Sequence, residues 1–131
     1  MPFELEKVLI VGAGGFVGSA ARYLLGGLVQ SAAAVSTFPY GTLFVNASGC
    51  FVIGLLSQLF ESQSAFGPNA RAFLMVGVLG GYTTFSAFGS ETVNMVRDGQ
   101  PLAAGVNVGV QIVLGLLAVV LGRYVANLVW R

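Results

Sequence analysis

The chain carries its charges only at intervals. Residues 23–60, 72–90 and 99–122 contain no Asp, Glu, Lys or Arg. Runs of that length do not suit an ordinary small soluble domain, which has much surface relative to its core and covers it with charged side chains. Only 8% of the 131 residues are charged and 56% are hydrophobic, against about 25% charged in a typical soluble domain. Such hydrophobicity also excludes a disordered chain. A membrane helix needs roughly 20 apolar residues to cross about 30 Å of hydrocarbon. The charges therefore mark out four spans, at about 8–29, 41–60, 71–96 and 102–129, with Arg22 and Arg123 near the ends of the first and fourth. Loops are expected at 31–39, 62–69 and 98–101, where Phe38-Pro39, Gly67-Pro68-Asn69 and Asp98-Gly99 supply turn residues. The expected fold is an all-α membrane protein, with one four-helix transmembrane domain over residues 1–131. The first span opens on Glu4, Glu6 and Lys7 and carries Arg22, which does not fit the basic n-region of a cleaved signal peptide.

Composition removes whole classes of function. The net charge of +1 leaves no basic patch, so no nucleic-acid partner is expected. There is no His, which excludes His-based acid–base catalysis and Ser-His-Asp triads. A single Cys, Cys50, makes neither an intrachain disulfide nor a zinc cluster. Lys and Arg in short loops set orientation in the membrane. Lys7, Arg71, Arg123 and Arg131 would lie on one side, Arg22 and Arg97 on the other. So weak a bias is compatible with insertion both ways up.

Polar and small residues within the spans carry the functional signal. Gly14 and Gly18, Gly77 and Gly81, and Gly105 and Gly109 are small-xxx-small pairs, the pattern that lets membrane helices approach closely. The stretch from Gly80 to Ser90 is different. Its adjacent glycines followed by Thr83-Thr84 favour a broken third helix. Non-helical backbone at membrane depth survives only in protein or beside a cavity. A break would also expose a positive half-helix N-terminus and carbonyls free to hold a cation. The alternative is a plain helix whose Ser and Thr hydroxyls bond back to their own carbonyls. Phe85 and Phe88, three apart, share a face; they are either packing residues or rings whose partially positive edges meet an anion. Asn46 lies in the second span, and Asn107 and Gln111, four apart on one face, lie in the fourth. They are either interhelical hydrogen-bond glue or, with Ser48, Thr83, Thr84, Ser86 and Ser90, a track of neutral donors suited to a strongly hydrogen-bonding anion. Arg22 either snorkels to the interface or draws anions into a vestibule. Glu91 is the only acid well within a span, and structural pairing is its expected role.

These residues resemble the Fluc (CrcB) family of small bacterial fluoride channels over the whole chain. The resemblance rests on Gly-Ala-Gly-Gly-Phe-Val-Gly with Arg22-Tyr23, on Gly41-Thr42-Leu43-Phe44-Val45-Asn46, and on Gly80-Gly81-Tyr82-Thr83-Thr84-Phe85-Ser86-Ala87-Phe88 with Glu91-Thr92. It implies four-helix subunits with a broken third helix that pair as antiparallel, dual-topology homodimers in the bacterial inner membrane, with two fluoride pores per dimer. Phe85 and Phe88 match the pore phenylalanines, Asn46 the pore asparagine, Ser86 part of the hydroxyl track, and Arg22 the arginine near the entrance. The backbone carbonyls of Gly80 and Thr83 match positions that hold one structural Na⁺ at the dimer interface. Ala87 stands where the family often has Thr, and Asn107 and Gln111 where it often has a hydroxyl residue. The resemblance thus implies a pore of Phe85, Phe88, Asn46, Thr84 and Ser86, with Asn107 and Gln111 supplying amides in place of hydroxyls.

The expected activity is passive export of fluoride, which relieves its toxicity, and not enzymatic turnover. Fluoride is strongly hydrated, so a pore must replace its water shell while binding weakly enough to release it. The alternative is a small dual-topology proton-coupled transporter. Such proteins depend on a carboxylate in the first helix, and here that helix has no acid after Glu6. A structural subunit without transport would leave the polar track unexplained.

Overall fold

A computed structural model describes residues 4–34, 36–63 and 66–130. Arg131, part of the charge bias above, lies outside them. Helix α1 spans Leu5–Ala32 and α2 spans Tyr40–Ser62. The third span starts as helix over Pro68–Arg71, widens to π-helical turns over Ala72–Val78, and closes as helix over Leu79–Tyr82; together these form α3. Helix α4 covers Phe85–Arg97 and α5 covers Pro101–Val129. Four rods, α1, α2, the Pro68–Arg97 span and α5, are long and apolar enough to cross a membrane. The shortest has 23 residues, or about 35 Å at about 1.5 Å per residue. The chain is therefore built as a multi-pass membrane protein.

Local chemistry explains where the helices start and stop. Pro68 and Pro101 open α3 and α5, at a position whose N–H would have no partner in any case. Helix α4 ends on Gly99, the one described glycine with positive φ (+76°). Its N–H bonds the Val96 carbonyl at 3.1 Å, and the Gln100 N–H bonds the Met95 carbonyl at 2.8 Å. This paired reversal needs a left-handed residue, which glycine adopts without steric cost. Pro101 then starts α5 at once. Between α1 and α2 the Gln30 side chain fastens the connection. Its amide N donates to the Ser36 and Phe38 carbonyls, and its Oε1 accepts from Gly41 N–H at 3.0 Å.

Glycine seams hold the rods together. Lipid tails are as apolar as Leu, so close van der Waals contact has to drive helix association. A Cβ on Gly18 would sit 1.9 Å from the Val78 carbonyl oxygen, and one on Gly14 would sit 2.5 Å from that of Phe73. Gly77 and Gly81 return these contacts against Gly14 and Gly15. Both receiving carbonyls belong to the π-helical turns, which the sequence pattern did not signal. Helix α2 packs most extensively on α5, across Gly54 and Gly122, where an added Cβ would lie 2.2 Å from Val119 O and 2.1 Å from Phe51 O. Gly105 and Gly109 behave differently from expectation. Nothing lies within 4 Å of a Cβ at either, because that face of α5 points away from the other helices of the chain. Large apolar residues such as Phe16, Leu102 and Leu116 are exposed on the outer faces, where a membrane protein meets lipid or another subunit.

Candidate functional site

Helical geometry lapses at two residues of the third span. Thr83 (φ −83°, ψ 156°) and Thr84 (φ −149°, ψ 116°) are both extended, a conformation that suits β-branched side chains. Asn46 of α2 pairs with the backbone of Thr84. Its Oδ1 accepts from Thr84 N–H at 2.8 Å, and its Nδ2 donates to Thr84 C=O at 3.0 Å. The Thr84 hydroxyl then caps α4 by accepting from Ala87 N–H at 3.1 Å. This is the usual work of an N-cap threonine. Thr83 does the opposite and bonds back to the Leu79 carbonyl at 3.0 Å.

These diversions leave two carbonyls without their helical donors. In a continuous helix Gly80 C=O would accept from Thr84 N–H, and Thr83 C=O from Ala87 N–H. Both donors are engaged elsewhere, by Asn46 and by Thr84 Oγ1. A Cβ on Gly80 would meet nothing within 4 Å, so that side of the chain is open. Carbonyl oxygens are the hard donors that hard cations take. Among the described residues no cluster of three His, Cys, Asp or Glu offers a rival metal site.

Beside Thr83 and Thr84 lies a cavity of about 370 Å³. Asn46, Thr83, Thr84, Phe85, Phe88 and Gln111 line it, with apolar residues around them and no charged side chain. The Phe85 and Phe88 rings stand 5.5 Å apart between centroids, tilted by 57°, and Phe85 is 83% exposed. A second hollow of about 390 Å³ holds Arg22, Thr42 and Glu91. Thr84 lines both hollows, so this one residue stands between the hollow that bears Arg22 and Glu91 and the phenylalanine cavity.

The sequence candidates thus separate. Asn46, Thr84, Phe85, Phe88 and Gln111 come together around one cavity. Ser86 is exposed and shares a 3.4 Å contact with Thr84 Oγ1, but it is not part of that wall. Arg22 is confined to the second hollow. Asn107 is 0% exposed and away from the cavity. Its Nδ2 donates to Thr92 Oγ1 at 3.0 Å, and Thr92 donates to Phe88 C=O at 2.7 Å. Asn107 therefore ties α5 to the backbone of one cavity phenylalanine. Glu91 has a partner, Thr42 Oγ1 at 2.7 Å. Thr42 was not singled out from the sequence, although its place one turn before Asn46 puts it on the same face of α2. Tyr82 was also missed; its hydroxyl meets Ser48 Oγ at 2.8 Å.

The matches to known proteins point one way. The family model described as "CrcB-like protein, Camphor Resistance (CrcB)" matches residues 9–123. A protein of Elusimicrobium minutum, named fluoride-specific ion channel FluC, is 46% identical over 125 residues, which is 95% of this chain and 97% of that one. A protein of the same name from Ruminiclostridium cellulolyticum is 44% identical over 124 residues, covering 95% of each chain. Another, from Rhizobium meliloti, is 42% identical over 118 residues, covering 90% of this chain and 94% of the relative.

Proposed function

The chain belongs to the CrcB family, and from that premise we propose that it is a fluoride-selective channel, not an enzyme, that lets fluoride leave the cell passively. The observation that carries the reading is the cavity at the lapse in the third span. It joins two phenylalanine rings to neutral amide and hydroxyl groups and contains no charged side chain.

The chemistry follows from fluoride itself. A small anion gives up its water only to groups that replace it, and neutral N–H and O–H donors do so. Phe85 and Phe88 add ring edges of partial positive charge. A buried Lys or Arg would hold the ion too tightly, and conduction requires that it leave. Arg22, in the neighbouring hollow, attracts anions toward Thr84 without binding them in the cavity. The extended Thr83–Thr84 backbone serves as the break of the third helix, placing the positive N-terminus of α4 at the site. Ser86 extends the hydroxyl track from Thr84, and Asn107 braces Phe88 through Thr92. An inside-negative potential then drives the anion outward, by about 2.3 kcal/mol per 100 mV.

The working unit in this reading is an antiparallel homodimer with dual topology in the bacterial inner membrane. Its two-fold axis would bring together the Gly80 and Thr83 carbonyls of both subunits, and these would hold a structural Na⁺. The exposed Phe85 and the open faces at Gly80, Gly105 and Gly109 suit coverage by a second copy. The test is efflux from proteoliposomes of purified protein with no pH gradient imposed. Fluoride release under these conditions is expected; release only when a proton gradient is supplied would replace the channel with a coupled transporter.

A further inference from the structure

Between Leu79 and Phe85 the third span lines the phenylalanine cavity at every residue but two. Leu79, Gly80, Thr83, Thr84 and Phe85 line it, whereas Gly81 and Tyr82 do not. Gly81 lies against α1, where an added Cβ would sit 2.6 Å from the Gly15 carbonyl oxygen. Tyr82 goes to α2 instead. It is buried, and its hydroxyl meets Ser48 Oγ at 2.8 Å. The cavity-lining backbone is thus anchored from behind, at the two residues just before helical geometry lapses.

The two hydroxyls have different roles. Ser48 has one hydrogen, and Phe44 C=O accepts it at 2.7 Å, the back-bond common for a helical serine. Its oxygen can still accept, so Tyr82 O–H is the donor of the pair. The tyrosine ring sits in a notch that Gly49 leaves on α2. A Cβ there would lie 3.2 Å from Tyr82 Cδ1 and 2.3 Å from Thr83 Cγ2. Asn46, on the same helix, holds the Thr84 backbone by both ends of its amide. Three consecutive residues, Tyr82, Thr83 and Thr84, are therefore each set by a residue of α2: Ser48, Gly49 and Asn46. Of the three, Tyr82 reaches α2 with a side-chain donor, whereas Thr83 and Thr84 use their hydroxyls within the third span.

We infer that Tyr82 is a positioning residue of the pore: through Ser48 its hydroxyl fixes the spacing of the cavity wall at the lapse, and so helps to exclude anions larger than fluoride. The inference rests on the channel reading above. A tyrosine ring is rigid and turns about only two side-chain torsions, so holding its far end holds the backbone that carries it. The Gly80 and Thr83 carbonyls lack their helical donors, and side-chain ties set where this stretch sits. A wall kept at one spacing suits one ion radius, whereas a wall free to spread can surround a larger ion.

The test measures selectivity and stability on the full-length protein. Tyr82→Phe keeps the ring in its notch and removes the donor. Ser48 stays bonded to Phe44 C=O, so no buried polar group is orphaned. Fluoride and chloride efflux are measured from proteoliposomes, with elution volume and melting temperature alongside. Fluoride efflux should stay close to wild type, while the preference for fluoride over chloride should fall roughly five- to tenfold, the factor that one ordinary hydrogen bond commands. Ser48→Ala should lower the preference as far. It also leaves the buried Tyr82 hydroxyl without its acceptor, so it should melt below Tyr82→Phe. The double variant should be as selective as either single one, because the two residues form one tie. Ser48→Ala carries the test if Tyr82→Phe does not assemble. A wild-type preference for fluoride in both variants, whatever their melting temperatures, would reduce the pair to a packing contact and overturn the inference while leaving the channel intact. A wild-type protein that passes no fluoride would instead overturn the channel reading, and this inference with it.

Discussion

The two halves of the third span are held in opposite ways. Helix α3 lies against α1 through glycine, backbone against backbone, with Gly14, Gly18, Gly77 and Gly81 allowing contact that no larger residue permits. Helix α4 makes no such seam. It is tied by side chains: Asn46 to Thr84, Thr42 to Glu91, and Asn107 through Thr92 to Phe88. Packing of the first kind gives a fixed scaffold. Polar ties of the second kind are each worth only about 1 kcal/mol in a membrane, but they are directional, so they set where a phenylalanine ring or an amide points. The lapse at Thr83–Thr84 is the join between the two regimes, and the cavity opens there.

The largest effect on this contrast should come from the seam. Gly18→Val drives a side chain into the Val78 carbonyl region, where the atoms met are backbone and cannot turn aside. Overpacking of this kind costs about 1–3 kcal/mol or more, so the variant should lose its monodisperse elution in detergent. Gly12→Val, on an exposed face of α1 where an added Cβ meets nothing within 4 Å, should elute and melt with wild type; equal damage at both positions would erase the distinction. Phe85→Ile or Phe88→Ile lies on the other side of the join. Each should abolish fluoride efflux while leaving assembly intact, and normal efflux in both would remove the ring edges from the mechanism. Asn46→Asp should also be inactive, because a carboxylate faces the Thr84 carbonyl and stands beside the anion's path; unimpaired transport would place Asn46 outside the site. The smallest effect is expected at Thr92→Val. It breaks the tie from Asn107 to Phe88, and should lower stability by about 1 kcal/mol and slow efflux several-fold without abolishing it.

Much of this was readable from the chain, and the reasons are physical. Charges are too costly at depth to be scattered, so sparse charges together with turn residues marked the four long apolar helices to within a few residues. Gly99 and Pro101 fixed the α4–α5 turn, since one tolerates positive φ and the other starts a helix. The glycine pairs Gly14–Gly18 and Gly77–Gly81 were legible as seams, but Gly105–Gly109 has the same spacing and packs on nothing within the chain. Spacing names a helix face without naming what lies opposite. The same limit separates Asn107 from Gln111. They share a face of α5, yet one turn along the axis, about 5.4 Å, takes a side chain from the cavity wall to a sealed contact with Thr92. The π-helical turns over Ala72–Val78 and the Thr42–Glu91 bond depend on how neighbouring helices meet, and no local pattern encodes them.

The central claim is that a wall of ring edges and neutral donors, without a charge, passes fluoride and refuses chloride. The direct test loads proteoliposomes with equal potassium fluoride and potassium chloride and starts efflux with a potassium ionophore. The account predicts rapid release of fluoride with chloride retained; release of both anions at similar rates would contradict it.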